Sequence, residues 1–218
     1  MKKRLEIGVV GLGKFGLFAA QRLMELGNEV VGLDVRQDYV RRAQEQLTQV
    51  YQGDGTDKGV LEQLGFHEFD YVVVSVGSAM EASILIAMHL KEIGAKHVWV
   101  KAVSLDHEKV LRKVGADDVF FPELIGAQQL AMRIVSPGLI EYLQYGQGIL
   151  VQKMTVDEWG GKTLKDLNLT TRYKLLVIAH KPNDAKAFDY LPSADTVLQK
   201  DEEVVVIMQE EMLGKFKA

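Results

Sequence analysis

Gly11-Leu12-Gly13-Lys14-Phe15-Gly16 follows the apolar run Ile7 to Val10 and opens a stretch of helical pattern, and the next apolar run ends on an acid, Asp34. Strand, glycine turn, helix and an acid about twenty residues on together make the Rossmann dinucleotide fingerprint. Its first glycine permits the tight turn, its second lets backbone approach a phosphate, and its third lets helix pack on strand. Backbone N–H groups at Gly13 to Gly16, at the positive end of the helix, would donate to a phosphate or pyrophosphate. Lys14 adds a full charge, although spacing alone does not force its side chain toward a ligand. The expected site is completed on this turn by Gly11, Phe15 and Gly16.

Working outward, short β-branched runs alternate with amphipathic stretches as far as Phe121, the pattern of a parallel sheet covered by helices. Strands are expected at Glu6–Val10, Val30–Asp34, Val50–Gln52, Tyr71–Ser75, His97–Val100 and Asp117–Phe120. Helices are expected at Phe15–Leu26, Tyr39–Leu47, Lys58–Leu64, Glu81–Ile93 and His107–Val114. Asp38 and Asp57 stand where N-caps would, and Gly27, Gly65, Gly94 and Gly115 where left-handed C-caps would. The texture changes after Pro122. Leu124 to Leu143 reads as one long helical stretch broken at Pro137-Gly138, a hinge between domains. Beyond it, strands at Ile149–Val156, Leu175–His180 and Glu203–Met208, a short helix near Thr163–Leu167 and a terminal helix near Glu210–Phe216 make a small α+β module. Turns at Asn183-Asp184 and Lys200-Asp201 separate its later strands. The fold class is therefore α/β, a doubly wound parallel sheet at 1–121, a linker helix region at 122–145 and a small α+β domain at 146–218.

In such a sheet, ligands lie outside the carboxyl ends of the strands. Asp34 there would accept hydrogen bonds from ribose hydroxyls. Val35 and Arg36 follow it, and Arg36 suits either a 2′-phosphate or stacking on adenine, with Asp34 favouring the adenosine edge. Gly53-Asp54-Gly55-Thr56-Asp57 follows the third strand over the adenine end, where Asp54, Gly55 and Thr56 suit close approach; the same stretch also reads as a turn capping the next helix. Ser75-Val76-Gly77 ends the fourth strand and Lys101 the fifth, and a lysine there can meet phosphate. Glu123 reads either as an oxygen ligand for a divalent cation beside a polyphosphate or as a helix-start acid.

Composition narrows the function. A net charge of −4 gives no global basic field for nucleic acid, so no nucleic-acid partner is expected. Gly8 and Gly11 interrupt the first apolar stretch, so it does not read as a signal peptide, and the apolar runs fall short of the ~20 residues of a spanning helix. A cytoplasmic, soluble protein is expected, held at a membrane only through a partner. The chain contains no cysteine, which excludes disulfides and thiolate chemistry. The five histidines show no ligand spacing and read as structural or surface residues. No nucleophile elbow, Walker lysine motif or zinc spacing is present, and about seventy residues remain after the linker for any substrate domain. A binding module is favoured over an enzyme. The alternatives are a small NAD-dependent oxidoreductase with its active site between subunits, and an NAD(H)-sensing regulator.

The chain resembles the regulators of potassium conductance, the cytosolic regulatory subunits of bacterial Ktr and Trk potassium transporters. The residues that carry the likeness are Val10 to Gly16, Gly53 to Asp57, Trp99-Val100-Lys101-Ala102, and Val110-Leu111 through Gly115-Ala116-Asp117 to Pro122-Glu123. In the second half they are Leu164-Lys165-Asp166-Leu167-Asn168-Leu169, Tyr173, Pro192 and Asp201 leading into Val204-Val205-Val206-Ile207. That resemblance implies a first domain binding ATP or ADP, sometimes NAD(H), and dimers assembled into an octameric ring beneath a membrane potassium-translocating subunit. ATP would favour a conducting state and ADP a closed one. The family's basic residue after the second fingerprint glycine is often arginine; here it is Lys14, which keeps the charge without bidentate geometry. Glu123 matches the family's acid implicated in divalent-cation binding between subunits. Several Ktr subunits bind cyclic di-AMP through an arginine shortly after the Asp-Leu-Asn segment. This chain has Thr170 at that position and Arg172 two residues later, a departure that argues against cyclic di-AMP.

Overall fold

The computed structural model describes residues 4–76, 80–136, 138–143, 148–213 and 215. The chain divides into two compact units, Met1–Glu123 and Leu124–Ala218.

The first unit alternates strand and helix: β1 Glu6–Val10, α1 Lys14–Glu25, β2 Glu29–Asp34, α2 Gln37–Gln44, β3 Gln49–Gln52, α3 Lys58–Gln63, β4 Tyr71–Val74, α4 Met80–Glu92, β5 Val98–Lys101, α5 Leu105–Lys113 and β6 Asp118–Phe120. Every strand pairing is parallel, and the sheet order is β3-β2-β1-β4-β5-β6. Helices cover both faces, which is why β1 buries Ile7, Val9 and Val10 in sequence instead of alternating apolar with polar. One face packs Leu33, Leu61, Phe66, Ile86, Leu90 and Leu111; the other packs Ile7, Val9, Leu12, Leu17, Ala20 and Leu47. Each such leucine, isoleucine, valine or phenylalanine contributes about 1.5–3 kcal/mol by leaving water. At Gly8 a β-carbon would come within 2.7 Å of the Phe66 ring, so the bare backbone is what admits that ring to the sheet.

The expected punctuation holds at most places. Gly27, Gly65, Gly94 and Gly115 close their helices with positive φ, and the Asp57 carboxylate caps α3 by accepting from the Gly59 N–H at 2.8 Å. Asp38 is a correction. α2 starts at Gln37 with Arg36 at the cap, so Asp38 sits inside the first turn. The reason is local: its carboxylate is engaged by the Arg36 side chain, not by helix N–H groups. α5 begins two residues earlier than its periodicity suggests, because Ser104 caps it by accepting from the His107 N–H.

α6 Pro122–Val135 starts within the first unit and runs into the second, which continues as β7 Leu139–Leu143, β8 Ile149–Thr155, α7 Leu164–Leu167, α8 Leu169–Tyr173, β9 Leu175–Lys181, β10 Asp189–Tyr190, β11 Glu203–Gln209 and a 3₁₀ turn at Glu210–Met212. Its sheet is antiparallel in the order β10-β9-β11-β8-β7. Leu150, Trp159, Leu167, Leu175, Leu198, Val204 and Val206 form its core.

Here the single long helix expected over Leu124–Leu143 is corrected. The helix stops at Val135, and Leu139–Leu143 is a strand on β8. Gly138 makes the change of direction: its φ is +86°, and a β-carbon there would meet the Lys153 carbonyl at 2.3 Å while Lys153 N–H donates to the Gly138 carbonyl. Leu-Ile-Glu-Tyr-Leu is apolar enough for either period, and cross-strand pairing decides it. Pro137 and the expected boundary at Gly146 lie outside the described residues, as do Gly214 and Phe216 of the expected terminal helix.

Two buried histidines, one in each unit, are held by hydrogen bonds, whereas His89 Nδ1 and Ser136 Oγ are buried without a partner. His107 Nδ1 accepts from the Val103 N–H at 3.2 Å, and its Nε2 stands 3.0 Å from Ser83 Oγ, which itself donates to the Met80 carbonyl. That pattern leaves the proton of a neutral imidazole on Nε2. In the second unit, His180 Nε2 lies 2.7 Å from Glu202 Oε2, which also accepts from the Gln199 N–H.

Candidate functional site

The sheet order reverses between β1 and β4, and connections leaving those strands in opposite directions open a crevice at their carboxyl ends. A cleft of about 690 Å³ lies there. Its floor is apolar, built from Val10, Leu33 and Ile86, and its rim carries Lys14, Arg36 and Lys101 together with Asp34, Asp54 and Glu123.

The glycine turn is shaped by three different constraints. Gly11 has φ +95°, and a β-carbon would lie 2.5 Å from the Ser75 carbonyl oxygen; at Gly16 it would lie 1.9 Å from the Gly11 carbonyl oxygen. Both glycines are required by the protein's own packing. Gly13 differs, since a β-carbon there would meet nothing nearer than the Tyr39 ring at 3.8 Å. Its bareness opens onto the cleft, where a phosphate could approach the backbone closely. α1 begins here, so the N–H groups of its first turn lack helical partners by geometry and point the same way.

Asp34 is buried, and its carboxylate binds two backbone N–H groups: Leu12 at 2.6 Å through Oδ2 and Arg36 at 2.8 Å through Oδ1. It thus ties the fingerprint turn to the end of β2, a structural duty the sequence did not reveal. A carboxylate has lone pairs beyond these two, so ribose hydroxyls can still be accepted.

Asp54 folds its own loop by accepting from the N–H and hydroxyl of Thr56, at 2.9 and 2.7 Å, which holds its carboxyl below the usual carboxylate range. The Gly53 N–H donates to the Asp34 carbonyl, and a β-carbon on Gly55 would strike Val10 at 2.7 Å. Ser75 is buried beside Gly11 with its N–H on the Val10 carbonyl. Lys101 is mostly buried; its Nζ reaches Glu123 Oε1 at 2.5 Å and holds that carboxyl below its usual range. Phe15 leans on Phe120 with ring centroids 5.2 Å apart, and the Lys101 ammonium lies 5.9 Å from the Phe15 ring.

Of the residues singled out in the sequence, Gly11, Gly13, Lys14, Phe15, Asp34, Val35, Arg36, Asp54, Gly55, Thr56, Ser75, Val76, Lys101 and Glu123 line this one cleft. Gly16 is a packing glycine behind it. Gly77 lies outside the described residues. Sequence reasoning missed Tyr39, Ala82 and Ile86. Tyr39 stands three residues after Arg36 on the first turn of α2, and Ala82 and Ile86 share a face of α4 at a spacing of four, so helical periodicity carried the signal. Among the described residues, no three His, Cys, Asp or Glu side chains gather closely enough to hold a metal. Glu123 offers a single carboxylate, paired with a lysine.

The sheet order and the glycine turn at its switch point put the first unit in the class of Rossmann-like nucleotide-binding folds. Residues 7–122 match the TrkA-N domain and residues 156–218 the TrkA-C domain, and the chain belongs to the family that carries this pair. It is 35% identical over 218 residues to Ktr system potassium uptake protein C of Bacillus subtilis (strain 168), covering 100% of this chain and 97% of that one. It is 30% identical over 217 residues to Ktr system potassium uptake protein A of Vibrio alginolyticus, covering 98% and 97%. Among solved structures, the GsuK RCK domain superposes with a TM-score of 0.63 at 17% identity, over 97% of this chain and 46% of that one. The GsuK channel bound to NAD gives 0.62 at 18% identity, over 97% and 38%. These likenesses establish the fold. No helix among the described residues is long and apolar enough to cross a membrane.

Proposed function

We propose that this chain is a nucleotide-sensing regulatory subunit of a membrane potassium-uptake system and is not itself an enzyme. The observation that carries the reading is the full-length likeness to two Ktr potassium uptake proteins joined to the unobstructed backbone of Gly13 on the cleft, next to Lys14. In this reading ATP or ADP lies along the cleft with its phosphates on the α1 N-terminus, its ribose on Asp34 and its base near Arg36 and Tyr39. Lys14 and Lys101 meet phosphate charge, and Glu123 contributes one carboxylate to any divalent cation that travels with the phosphates. Subunits assemble through dimers into an octameric ring at the cytoplasmic face of the membrane, against a potassium-translocating partner. A ligand can shift that ring only by binding two of its geometries unequally, and the γ-phosphate is the group that distinguishes ATP from ADP.

A second reading, an NAD(H)-sensing regulator, is favoured by Asp34 and by the NAD-bound GsuK channel of similar fold. Native mass spectrometry of the purified full chain separates them. Octamers retaining ATP or ADP support the first reading, octamers retaining NAD(H) the second, and a nucleotide-free monomer at micromolar concentration argues against both. Steady cofactor turnover with a panel of hydroxy acids and aldehydes would instead favour a small oxidoreductase.

A further inference from the structure

The Arg36 side chain reaches the cleft already committed. Its Nε and Nη2 donate to the two oxygens of Asp38 at 3.1 and 2.8 Å, and its Nη1 donates to the Tyr39 hydroxyl at 3.1 Å. Its guanidinium carbon lies 4.1 Å from the centroid of the Tyr39 ring, within stacking distance. Arg36 and Tyr39 line the cleft, whereas Asp38 stands behind them. A guanidinium recognises phosphate through a two-pronged N–H edge, and here the Nε–Nη2 edge is occupied by a carboxylate two residues along the chain. One flat face rests on Tyr39. These bonds take three of the five guanidinium N–H groups and leave two on the Nη1 and Nη2 nitrogens, so what Arg36 still offers a ligand is its second face, which suits a planar base, and an incomplete set of donors for a phosphate dianion.

We propose that Asp38 is a specificity-determining residue of the nucleotide cleft: by clasping Arg36 it takes up the Nε–Nη2 fork and holds the guanidinium as a stacking plate, so the cleft favours adenine nucleotides with a free 2′-hydroxyl over those carrying a 2′-phosphate. The proposal rests on the reading of the cleft as a nucleotide site. For a 2′-phosphate to bind, Arg36 would have to leave Asp38, and the ligand would then face two carboxylates, Asp34 and Asp38. The Arg36 backbone N–H bond to Asp34 fixes the main chain of that turn, so the side chain starts from a set position beside both carboxylates. Both side chains of the clasp are a little over half exposed, so it adds little to folding; its consequence is orientation. Asp38 is a positioning residue, since it acts through Arg36.

Isothermal titration of the full chain with ADP, NADH and NADPH tests this. The wild type is expected to bind NADPH at least about tenfold more weakly than NADH, the scale of one charge-assisted hydrogen bond forgone. Asp38→Asn should bring the two within about threefold by freeing the Arg36 fork, and Asp38→Glu should restore the discrimination. Tyr39→Leu should weaken ADP and NADH together without changing the NADH to NADPH ratio. Equal NADH and NADPH affinities in the wild type overturn the proposal, as does an unchanged ratio in Asp38→Asn that still binds ADP. If Asp38→Asn does not fold, Asp38→Ser serves in its place. Failure of the wild type to bind either ADP or NADH is a different result: it removes the nucleotide reading of the cleft itself.

Discussion

Two glycines of the fingerprint make opposite demands, and substitution separates them. A methyl group on Gly16 would overlap the Gly11 carbonyl at 1.9 Å, a backbone group that has no flexible side chain to yield. Gly16→Ala should therefore destabilise the chain by about 3 kcal/mol or more, read as a lowered denaturation midpoint. Gly13 has φ −63°, open to any residue, and space for a β-carbon. Gly13→Ala should leave the midpoint nearly unchanged while weakening ATP and ADP binding at least about tenfold in titration calorimetry. Comparable losses of stability in the two variants would contradict this division. The fingerprint's pattern was legible in sequence, but the division was not, because it depends on which atoms sit opposite each α-carbon. Asp34 shows the same limit. Its place at the end of β2 was readable, while its bond to the Leu12 N–H, 22 residues away, exists only once β1 and β2 pair.

At the scale of elements, the sheet of the first unit was legible because four of its helices stop at glycines and its central strand β1 is buried on both faces. The second unit was less so. Leu139–Leu143 carries no period that separates strand from helix, and β10, two residues long, falls below any pattern. The contacts joining elements give two further expectations. His107 ties α5 to α4 through Ser83, and burial pushes its imidazole pKa down from 6.5. The unfolded chain then takes up the proton first, so stability is complete above about pH 6.5 and declines as pH falls toward the lower folded value. Denaturation midpoints between pH 7.5 and 5 should show that decline, and His107→Gln should remove this residue's share of the slope. In the second unit, Glu202→Ala would leave His180 and the Gln199 N–H without their buried acceptor. A loss of about 3 kcal/mol in chemical denaturation is expected, against near zero were the pair solvated.

For the whole molecule, the cleft was more legible in the sequence than the regulation proposed for it. The glycine turn, Asp34 and the two lysines are local signals, and they converge on one cleft because the parallel order brings the ends of β1, β2, β4 and β5 together. Coupling is not local. In the proposed ring it would depend on how copies of the chain meet, which no single-chain pattern encodes. The central claim is that the cleft distinguishes nucleotides and that the assembly responds. Titration of the purified full chain with ATP and with ADP, each sample followed by small-angle X-ray scattering, measures both halves together. Unequal affinities for the two nucleotides, with a ring whose dimensions differ between them, are the expected result; equal affinities and identical dimensions would contradict it.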